Sequence, residues 1–239
     1  MRRPQALAGI VAIVVAASGA AVASANAGRP PVVSSVQELA MLLDAHTVFS
    51  TLHSRASRLR TVQASRPITG GQTILPVVGS ATTSDGAHWL RVMVPGRPNG
   101  MTGWIAERGT TLTTTSWRIA VRTSSRRVLV YRNGRLVRSF TAIVGKASTP
   151  TPHGKFFVEE SVRMLPGSDG APFALALSAR SDVLQEFDGG AGQIAIHGVA
   201  NLGGMLGTAI SHGCVRLDDR SIRWLAAHIT PGVPVTITA

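Results

Sequence analysis

Hydrophobic and polar residues alternate along much of the chain after residue 66, which is the pattern of strands with one buried face. In the segment HWLRVMV, Leu90, Val92 and Val94 fall on one face and the residues between them on the other. Similar runs, TILPVV and TGWIAE, flank this segment and are separated from it by the turn sequences SDG and PGRPNG. Short strands joined by Gly- and Pro-rich turns are typical of a small barrel, which we predict over residues 67–116.

The same pattern continues in residues 117–239. The sequence RRVLVYRNGRLVRSF places Asn133-Gly134 between two alternating runs, which is the strongest short-range signal for a β-hairpin. Further strands are predicted at GKFFVEESV, FALAL, QIAIHG and VPVTITA. One helix fits between Asp219 and His228, with Asp218 or Asp219 as its cap. This section is therefore predicted to be mainly β with one helix.

The first 66 residues follow different patterns. Two arginines precede an uncharged run from Ala6 to Ala25 that is rich in Ala, Val and Ile and ends in Ala-Ser-Ala. This is the anatomy of a secretory signal peptide, so we predict a signal peptide over residues 1–27, with an uncleaved membrane anchor as the alternative. Residues 28–66 are predicted to be a partly helical spacer, because Ser35 and Glu38 form a capping box before apolar residues at helical spacing.

Composition narrows the classes of function. The chain has 24 Lys and Arg against 12 Asp and Glu, a net charge of +12 at pH 7. In an exported protein this charge suits an anionic envelope or simply a soluble surface. The basic residues are scattered with few aromatics between them, so no nucleic acid partner is predicted. The single cysteine, Cys214, has no intramolecular disulfide partner, which leaves a reactive thiol or a buried, inert one.

The residues around Cys214 are those that a thiol nucleophile requires. A neighbouring base or positive charge makes a thiol a good nucleophile, and His197, His212 and the more distant His153 are candidates for the base. Spacing alone ranks His197 and His212 equally. If the segment is extended, His212 and Cys214 project to the same side. The backbone N–H groups of His212, Gly213 and Cys214 could then stabilise an oxyanion.

Two further interpretations concern metal and charge. A zinc site is disfavoured because structural zinc sites use four ligands and a second cysteine is missing, so no metal is predicted. Arg216 is expected to pair with Asp218 or Asp219, with contact to a substrate carboxylate as the alternative.

The sequence HGVANLGGMLGTAISHGCVRL, residues 197–217, resembles the signature of the L,D-transpeptidase family with its YkuD-type catalytic domain. VGKASTPTPHGKFFV and APFALALSARSDVLQEFDGGAGQIAIHG also resemble this family, so the likeness covers about residues 117–239. One departure is Asp219, where many members have asparagine. The resemblance implies a YkuD-type β-rich sandwich or barrel as the catalytic domain. WLRVMVPGRPNGMTGWI resembles the bacterial SH3-like modules that precede such domains.

The resemblance implies an exported peptidoglycan L,D-transpeptidase, a cysteine-dependent acyltransferase that needs no cofactor. Cys214 is then the nucleophile that attacks the L-centre carbonyl of a donor tetrapeptide stem and releases D-Ala. An amine of an acceptor stem takes the acyl group, which forms a cross-link. His197 is the implied general base, with its other ring nitrogen held by the backbone carbonyl of Gly198. The residues implied to line or support the donor site are Ser211, His212 and Arg216.

Other functions stay open at this point. The same acyl-enzyme could act as an L,D-carboxypeptidase or attach a wall protein, and the chain could instead be a non-catalytic wall-binding module. Sortases and papain-like peptidases fit less well, because sortases place threonine before the cysteine and papain-like enzymes place the cysteine before the histidine. The implied partners are peptidoglycan stem peptides, with carbapenem β-lactams as inhibitors. The expected location is the extracytoplasmic cell wall or periplasmic space.

Overall fold

The part of the chain that the structure describes folds mainly into β-strands, with one helix, as the alternating pattern predicted. The structure is a computed structural model, and it describes residues 35–52, 56–187 and 189–239. Within these residues the strands form a seven-stranded sheet, an eight-stranded sheet and a two-stranded sheet. The predicted signal peptide or anchor over residues 1–27 lies outside the described residues.

The seven-stranded sheet is fully antiparallel and has the strand order β3-β2-β6-β5-β4-β1-β7. Its strands are β1 (Gln37–Leu42), β2 (His46–Phe49), β3 (Arg58–Val62), β4 (Ile74–Thr82), β5 (His88–Met93), β6 (Thr102–Ala106) and β7 (Thr110–Thr115). Leu90 and Val92 of β5 are buried in the core of this sheet, as the alternation predicted. Trp89 and Trp104 are only partly buried. The SH3-like assignment of this region stays a prediction.

The helix predicted within the spacer, residues 28–66, is wrong. Residues 37–62 instead contribute β1, β2 and β3, and β1 pairs with β4 on one edge and with β7 on the other. The Ser35–Glu38 capping box therefore has no helix to cap. Val36 and Leu43, which helical spacing placed on the buried face, are 50% and 52% exposed. Pairing with distant strands has overridden a local helical preference.

The eight-stranded sheet has the order β10-β9-β8-β17-β12-β13-β14-β16. Its strands are β8 (Trp117–Arg122), β9 (Arg127–Arg132), β10 (Arg135–Thr141), β12 (Gly154–Arg163), β13 (Phe173–Arg180), β14 (Gln193–His197), β16 (Val215–Arg216) and β17 (Pro234–Thr238). The two-stranded sheet pairs β11 (Val144–Gly145) with β15 (Ala209–Ser211).

The hairpin and the helix predicted for this half of the chain are confirmed. Asn133 and Gly134, with φ of 51° and 73°, form the turn of the predicted β9–β10 hairpin. Helix α1 (Asp219–His228) has the predicted bounds, and Asp218 is its N-cap. No helix in the described ranges has the length and apolar character needed to cross a membrane.

Strand β12 is buried on both faces and belongs to two cores. Phe156 and Val158 pack in the core of the eight-stranded sheet. Phe157, which points to the opposite face, packs in the core of the seven-stranded sheet. Both phenylalanines are 1% exposed. The two sheets are therefore packed together through the two faces of β12 and not only joined by a linker.

Buried charged side chains also link the two sheets. Glu159 and Glu160 of β12 are each 1% exposed, and Arg66, which follows β3, forms an ion pair with Glu159. Arg180 Nη1 lies 3.1 Å from Glu159 Oε1. Thr69 donates its backbone N–H and its hydroxyl to Glu160 Oε2, both at 2.8 Å. Burial, together with the positive charge of Arg97, lowers the pKa of Arg180 to about 10.

Removing Glu159 should destabilise the whole chain. Glu159→Ala removes the buried carboxylate that Arg180 and Arg66 share and leaves Arg66 with Glu160, whose Oε1 lies 3.7 Å from its Nε. Breaking a buried pair in this way costs about 3–5 kcal/mol. Urea unfolding of Glu159→Ala, compared with the exposed control Glu38→Ala, measures this loss. Equal unfolding free energies for the two variants would contradict the role assigned to the buried cluster.

Candidate active site

A cavity of about 670 Å³ opens where β14 and β16 lie side by side. These strands are parallel, with Ile196 opposite Val215 and His197 opposite Arg216. The volume is in the range of small-molecule sites in proteins. Four predicted site residues line it: His197, His212, Cys214 and Arg216. The other lining residues are Met164, Asp169, Ala174, Ser181, Leu184, Phe187, Gly192, Gln193, Ile194, Ala195, Asn201 and Leu202.

Alternation along β14 places the thiol and the imidazole on one wall. Ile194 and Ile196 are buried in the core, so the residues between and after them, Ala195 and His197, face the cavity. The backbone N–H of Ala195 donates to Cys214 Sγ at 3.4 Å. Cys214 thus packs against the same face of β14 that carries His197, two residues further along.

The hydrogen bond of His197 determines which ring nitrogen is free. His197 Nδ1 lies 2.7 Å from the carbonyl oxygen of Gly198, the contact that the family resemblance implied. A carbonyl only accepts hydrogen bonds, so Nδ1 must carry the hydrogen. In the neutral ring Nε2 then has a lone pair that can accept a proton. A Cβ at Gly198 would collide with the carbonyl oxygen of Ala171, so this position also requires glycine.

Burial favours the neutral forms of Cys214 and His197. It is the largest effect on each: it raises the pKa of the Cys214 thiol and lowers the pKa of His197. Arg216 lowers the pKa of both, because its positive charge favours a thiolate and disfavours an imidazolium. The hydrogen bond from Ala195 also favours the thiolate, and the one to Gly198 favours the imidazolium, but burial outweighs both. The resting pair is therefore a thiol and a neutral imidazole.

Ser211 organises the turn before the cysteine. Its buried hydroxyl donates to the carbonyl oxygen of Cys214 at 2.6 Å and accepts the N–H of Gly213 at 3.2 Å. Gly213 has φ of 119°, a conformation that favours glycine. Because the Gly213 N–H is directed to Ser211, it is not free as the predicted oxyanion donor. The N–H groups of His212 and Cys214 remain the candidates for that role.

The expected pairing of Arg216 with Asp218 or Asp219 is wrong. Asp218 instead accepts the backbone N–H of Ser221 at 3.0 Å and its hydroxyl at 2.6 Å, because free N–H groups at a helix N-terminus attract a carboxylate. Asp219 is exposed. Arg216 is 8% exposed and donates to the Leu202 carbonyl at 3.3 Å, and its Nε has no hydrogen-bond partner within the described part of the chain.

Sequence reasoning missed two neighbours of His212. Phe187 stacks on the imidazole, with ring centroids 5.4 Å apart, and Lys146 Nζ lies 3.5 Å from His212 Nε2. A lone phenylalanine in the polar stretch LQEFDGG was the one available signal for the first contact. His153 is not among the residues that line the cavity, and its Nε2 lies 2.9 Å from Thr123 Oγ1.

The segment MLPGSDGA, residues 164–171, closes another side of the cavity. Met164 and Asp169 line it. The Gly170 carbonyl accepts the N–H of Gly198 at 2.8 Å, which ties this segment to the residue after His197. Across the described ranges, no group of three or more His, Cys, Asp or Glu side chains is arranged to hold a metal ion.

Comparison with known proteins identifies the family of the chain. The model of the YkuD family, the L,D-transpeptidase catalytic domain, matches residues 116–237. YkuD of Bacillus licheniformis, to which L,D-transpeptidase activity is ascribed, is 32% identical over 125 residues, which cover 52% of this chain and 67% of that protein. YkuD of Bacillus subtilis is 29% identical over 124 residues, with the same coverage.

A solved L,D-transpeptidase from Mycobacterium tuberculosis H37Rv has 18% identity and a TM-score of 0.42, with coverage of 68% of this chain and 93% of that chain. On the match to the family model and the relative from B. licheniformis, the chain belongs to the YkuD family of L,D-transpeptidases. The family consists of acyltransferases that act on peptidoglycan.

The neutral thiol and imidazole predict a specific pH profile for alkylation of Cys214 by iodoacetamide. The rate should rise along a single curve whose midpoint lies above that of a free cysteine, because burial raises the thiol pKa. Free cysteine, titrated under the same conditions, is the control. A rate plateau from about pH 5 to pH 8 would contradict this prediction, because it would indicate a thiolate–imidazolium pair.

Proposed function

We propose that the chain is a peptidoglycan L,D-transpeptidase in which Cys214 is the nucleophile and His197 the general base. The observation that carries this proposal is the 2.7 Å hydrogen bond from His197 Nδ1 to Gly198, which leaves Nε2 free on the cavity wall that Cys214 contacts. A partly buried thiol with a raised pKa is a poor nucleophile by itself. It therefore needs a nearby neutral base, and His197 meets that requirement.

In the first half-reaction, Cys214 Sγ attacks the carbonyl carbon at the L-centre of the donor tetrapeptide while its proton passes to His197 Nε2. The oxyanion that forms is stabilised by the N–H groups of His212 and Cys214. The C–N bond to the terminal D-Ala then breaks, and His197 returns the proton to the leaving amine. The product is a thioester on Cys214.

In the second half-reaction, an amine of a neighbouring stem attacks the thioester carbonyl. His197 accepts a proton from this amine, the C–S bond breaks, and the thiolate regains a proton. A cross-link results, with no cofactor required. Water in place of the amine gives the alternative activity, an L,D-carboxypeptidase, and an amine of a wall protein gives attachment of that protein.

Arg216 is the candidate for binding a negatively charged group of the substrate. Its guanidinium lies in the cavity wall, is 8% exposed, and has an Nε without a partner within the described part of the chain. A carboxylate of the stem peptide would supply that partner, because guanidinium groups bind carboxylates with strong hydrogen bonds. Ser211 supports the loop, and His212 lines the donor side.

The proposed site of action is the cell wall outside the cytoplasmic membrane. The support is the pattern of the first 27 residues, which is that of a secretory signal peptide or membrane anchor. A net charge of +12 is compatible with an anionic envelope. A purely wall-binding role without catalysis is less well supported, because the residues required for acyl transfer are all present around the cavity.

A carbapenem should acylate Cys214. Its strained lactam carbonyl offers the thiol an activated amide, so intact mass spectrometry should show an adduct of the mass of one carbapenem on the wild-type protein. Cys214→Ala should show none, and the conservative Cys214→Ser should show little, because a hydroxyl is a weaker nucleophile. A wild-type protein that stays unmodified would rule out this function.

Loss of the base should slow acylation strongly. We expect His197→Ala to lower the rate constant for acylation by about 10²–10⁴-fold, the range for general base catalysis. His153→Ala is the matched control and should stay within about twofold of the wild type, because His153 lies outside the cavity. Stopped-flow fluorescence or timed mass spectra give both rates. Equal losses in the two variants would mean that the base is another residue.

A further inference from the structure

One wall of the cavity is formed by the 181–192 loop, which joins β13 to β14. Ser181, Leu184, Phe187 and Gly192 of this loop line the cavity. Phe187 also stacks on His212, with ring centroids 5.4 Å apart. The shape of the loop therefore decides where the His212 ring and this wall of the cavity lie.

The hydrogen bonds within the loop mainly join its two ends. The N–H of Ser181 donates to the Gly192 carbonyl at 2.8 Å, and the N–H of Leu184 donates to Ser181 Oγ at 3.0 Å. Phe187 and Gly190 exchange backbone hydrogen bonds at the tip. These contacts join loop residues to one another, so they define local turns and do not fix the loop against the body of the protein.

Asn99 Nδ2 fixes the loop at one point by donating to Asp182 Oδ1 at 3.0 Å, and Arg97 fixes it at three more. Arg97 lies in the 94–101 loop between β5 and β6. Its Nη1 donates to the Ala191 carbonyl at 2.8 Å, and its Nη2 donates to the carbonyls of Ser181 at 2.8 Å and Leu184 at 2.9 Å. One guanidinium thus holds three carbonyls on both arms of the 181–192 loop.

Neighbouring contacts hold Arg97 in place. Asn99 Nδ2 donates to the Arg180 carbonyl at 2.7 Å, and the Arg180 N–H donates back to Asn99 Oδ1 at 2.8 Å. The N–H of Gly96 donates to the Ser178 carbonyl at 3.2 Å. The 94–101 loop is therefore attached to the end of β13 on both sides of Arg97.

We infer that Arg97 is a positioning residue of the active site: it fixes the cavity wall that carries Leu184 and Phe187 and, through Phe187, the ring of His212. This inference rests on the proposed function for its kinetic consequence. It makes the seven-stranded sheet a structural part of the donor site. Arg97 touches no reacting atom, so its effect should fall on how the substrate is held more than on proton transfer.

The test compares Arg97→Ala, Arg97→Lys and Arg91→Ala in the full chain. Arg91 is a matched control because it lies on β5 of the same sheet, is exposed, and among the described residues donates to Thr102 Oγ1 alone, at 3.0–3.2 Å. We expect Arg97→Ala to lower the second-order rate constant for acylation by a carbapenem by about tenfold or more, mainly through a higher half-saturating concentration. Arg97→Lys should give a smaller loss, because an ammonium can still donate to part of the carbonyl set, but not a wild-type rate, because it lacks the fork that reaches all three carbonyls.

Two readouts separate positioning from general loss of structure. Free guanidinium at low millimolar concentration should restore part of the rate in Arg97→Ala and have no effect on Arg91→Ala. The ring signals of His212 in NMR spectra should move in Arg97→Ala, because the ring of Phe187 no longer stacks at the same place, and should stay fixed in Arg91→Ala. The pH profile should keep its shape in every variant, because His197 is untouched.

The outcomes separate this inference from the proposed function. A wild type that is not acylated overturns the proposed function, while the His212 signals still decide whether Arg97 shapes the cavity. Acylation in Arg97→Ala within twofold of Arg91→Ala, with unmoved His212 signals, overturns the inference alone. If Arg97→Ala does not fold, the same comparison is made with Arg97→Lys, and a wild-type rate and wild-type His212 signals in that variant overturn it.

Discussion

The burial of β12 on both faces is the constraint on which the rest of the structure depends. Phe156 and Phe157, adjacent in sequence, point in opposite directions into two different cores. A strand in this position cannot shift by one residue without exchanging the side chains of both cores. Glu159 adds a second restraint, because its buried carboxylate is paired with Arg66, which follows β3 of the seven-stranded sheet, and with Arg180, which ends β13 of the eight-stranded sheet. The register of β12 is thus fixed by apolar packing and by charge.

The position of β12 also determines the position of the candidate active site, because neighbouring strands pair in sequence from β12 to β14. β13 pairs with β12 on one edge and with β14 on the other, and β14 carries Ala195 and His197. Arg180, which binds Glu159, ends β13 directly before the loop that forms a wall of the cavity. The backbone N–H of Arg180 also donates to Asn99 Oδ1, in the 94–101 loop of the seven-stranded sheet. Both sheets therefore contribute to the position of the cavity wall.

The chemistry of the site follows from low polarity around two neutral groups. Burial opposes charge on Cys214 and on His197, because it raises the pKa of the thiol and lowers the pKa of the imidazole. In the proposed mechanism, Cys214 passes its proton to His197 as Sγ attacks the substrate carbonyl. Arg216 reduces the cost of the thiolate without charging the imidazole.

Short-range sequence signals were sufficient to predict several features of the eight-stranded sheet and of the helix that follows β16. Asn133-Gly134 defines its hairpin through two positive φ values, and Asp218 defines the start of α1 through side-chain capping. The helix predicted near Ser35 failed because β1 is stabilised by partners that are distant in the chain. The contacts of Arg97 were invisible for the same reason, since they join residues 84 to 94 positions apart.

In the candidate site, the resemblance indicated His197 and Cys214, and spacing alone could not rank His197 above His212. The structure places the Nδ1 of His197 against Gly198, and it places His212 between Phe187 and Lys146. The expected Arg216 pair failed because the helix N-terminus competes for Asp218. Sequence proximity says little about competition between acceptors and donors that only the fold brings together.

The most direct test of the central claim is mass spectrometry of the protein mixed with a defined disaccharide-tetrapeptide and an acceptor stem. The account predicts release of D-Ala, a tripeptide thioester on Cys214 and, after acceptor attack, a cross-linked dimer. Tripeptide without dimer would assign the same acyl-enzyme to carboxypeptidase activity. A tetrapeptide that remains intact, with no acyl group on Cys214, would contradict the account.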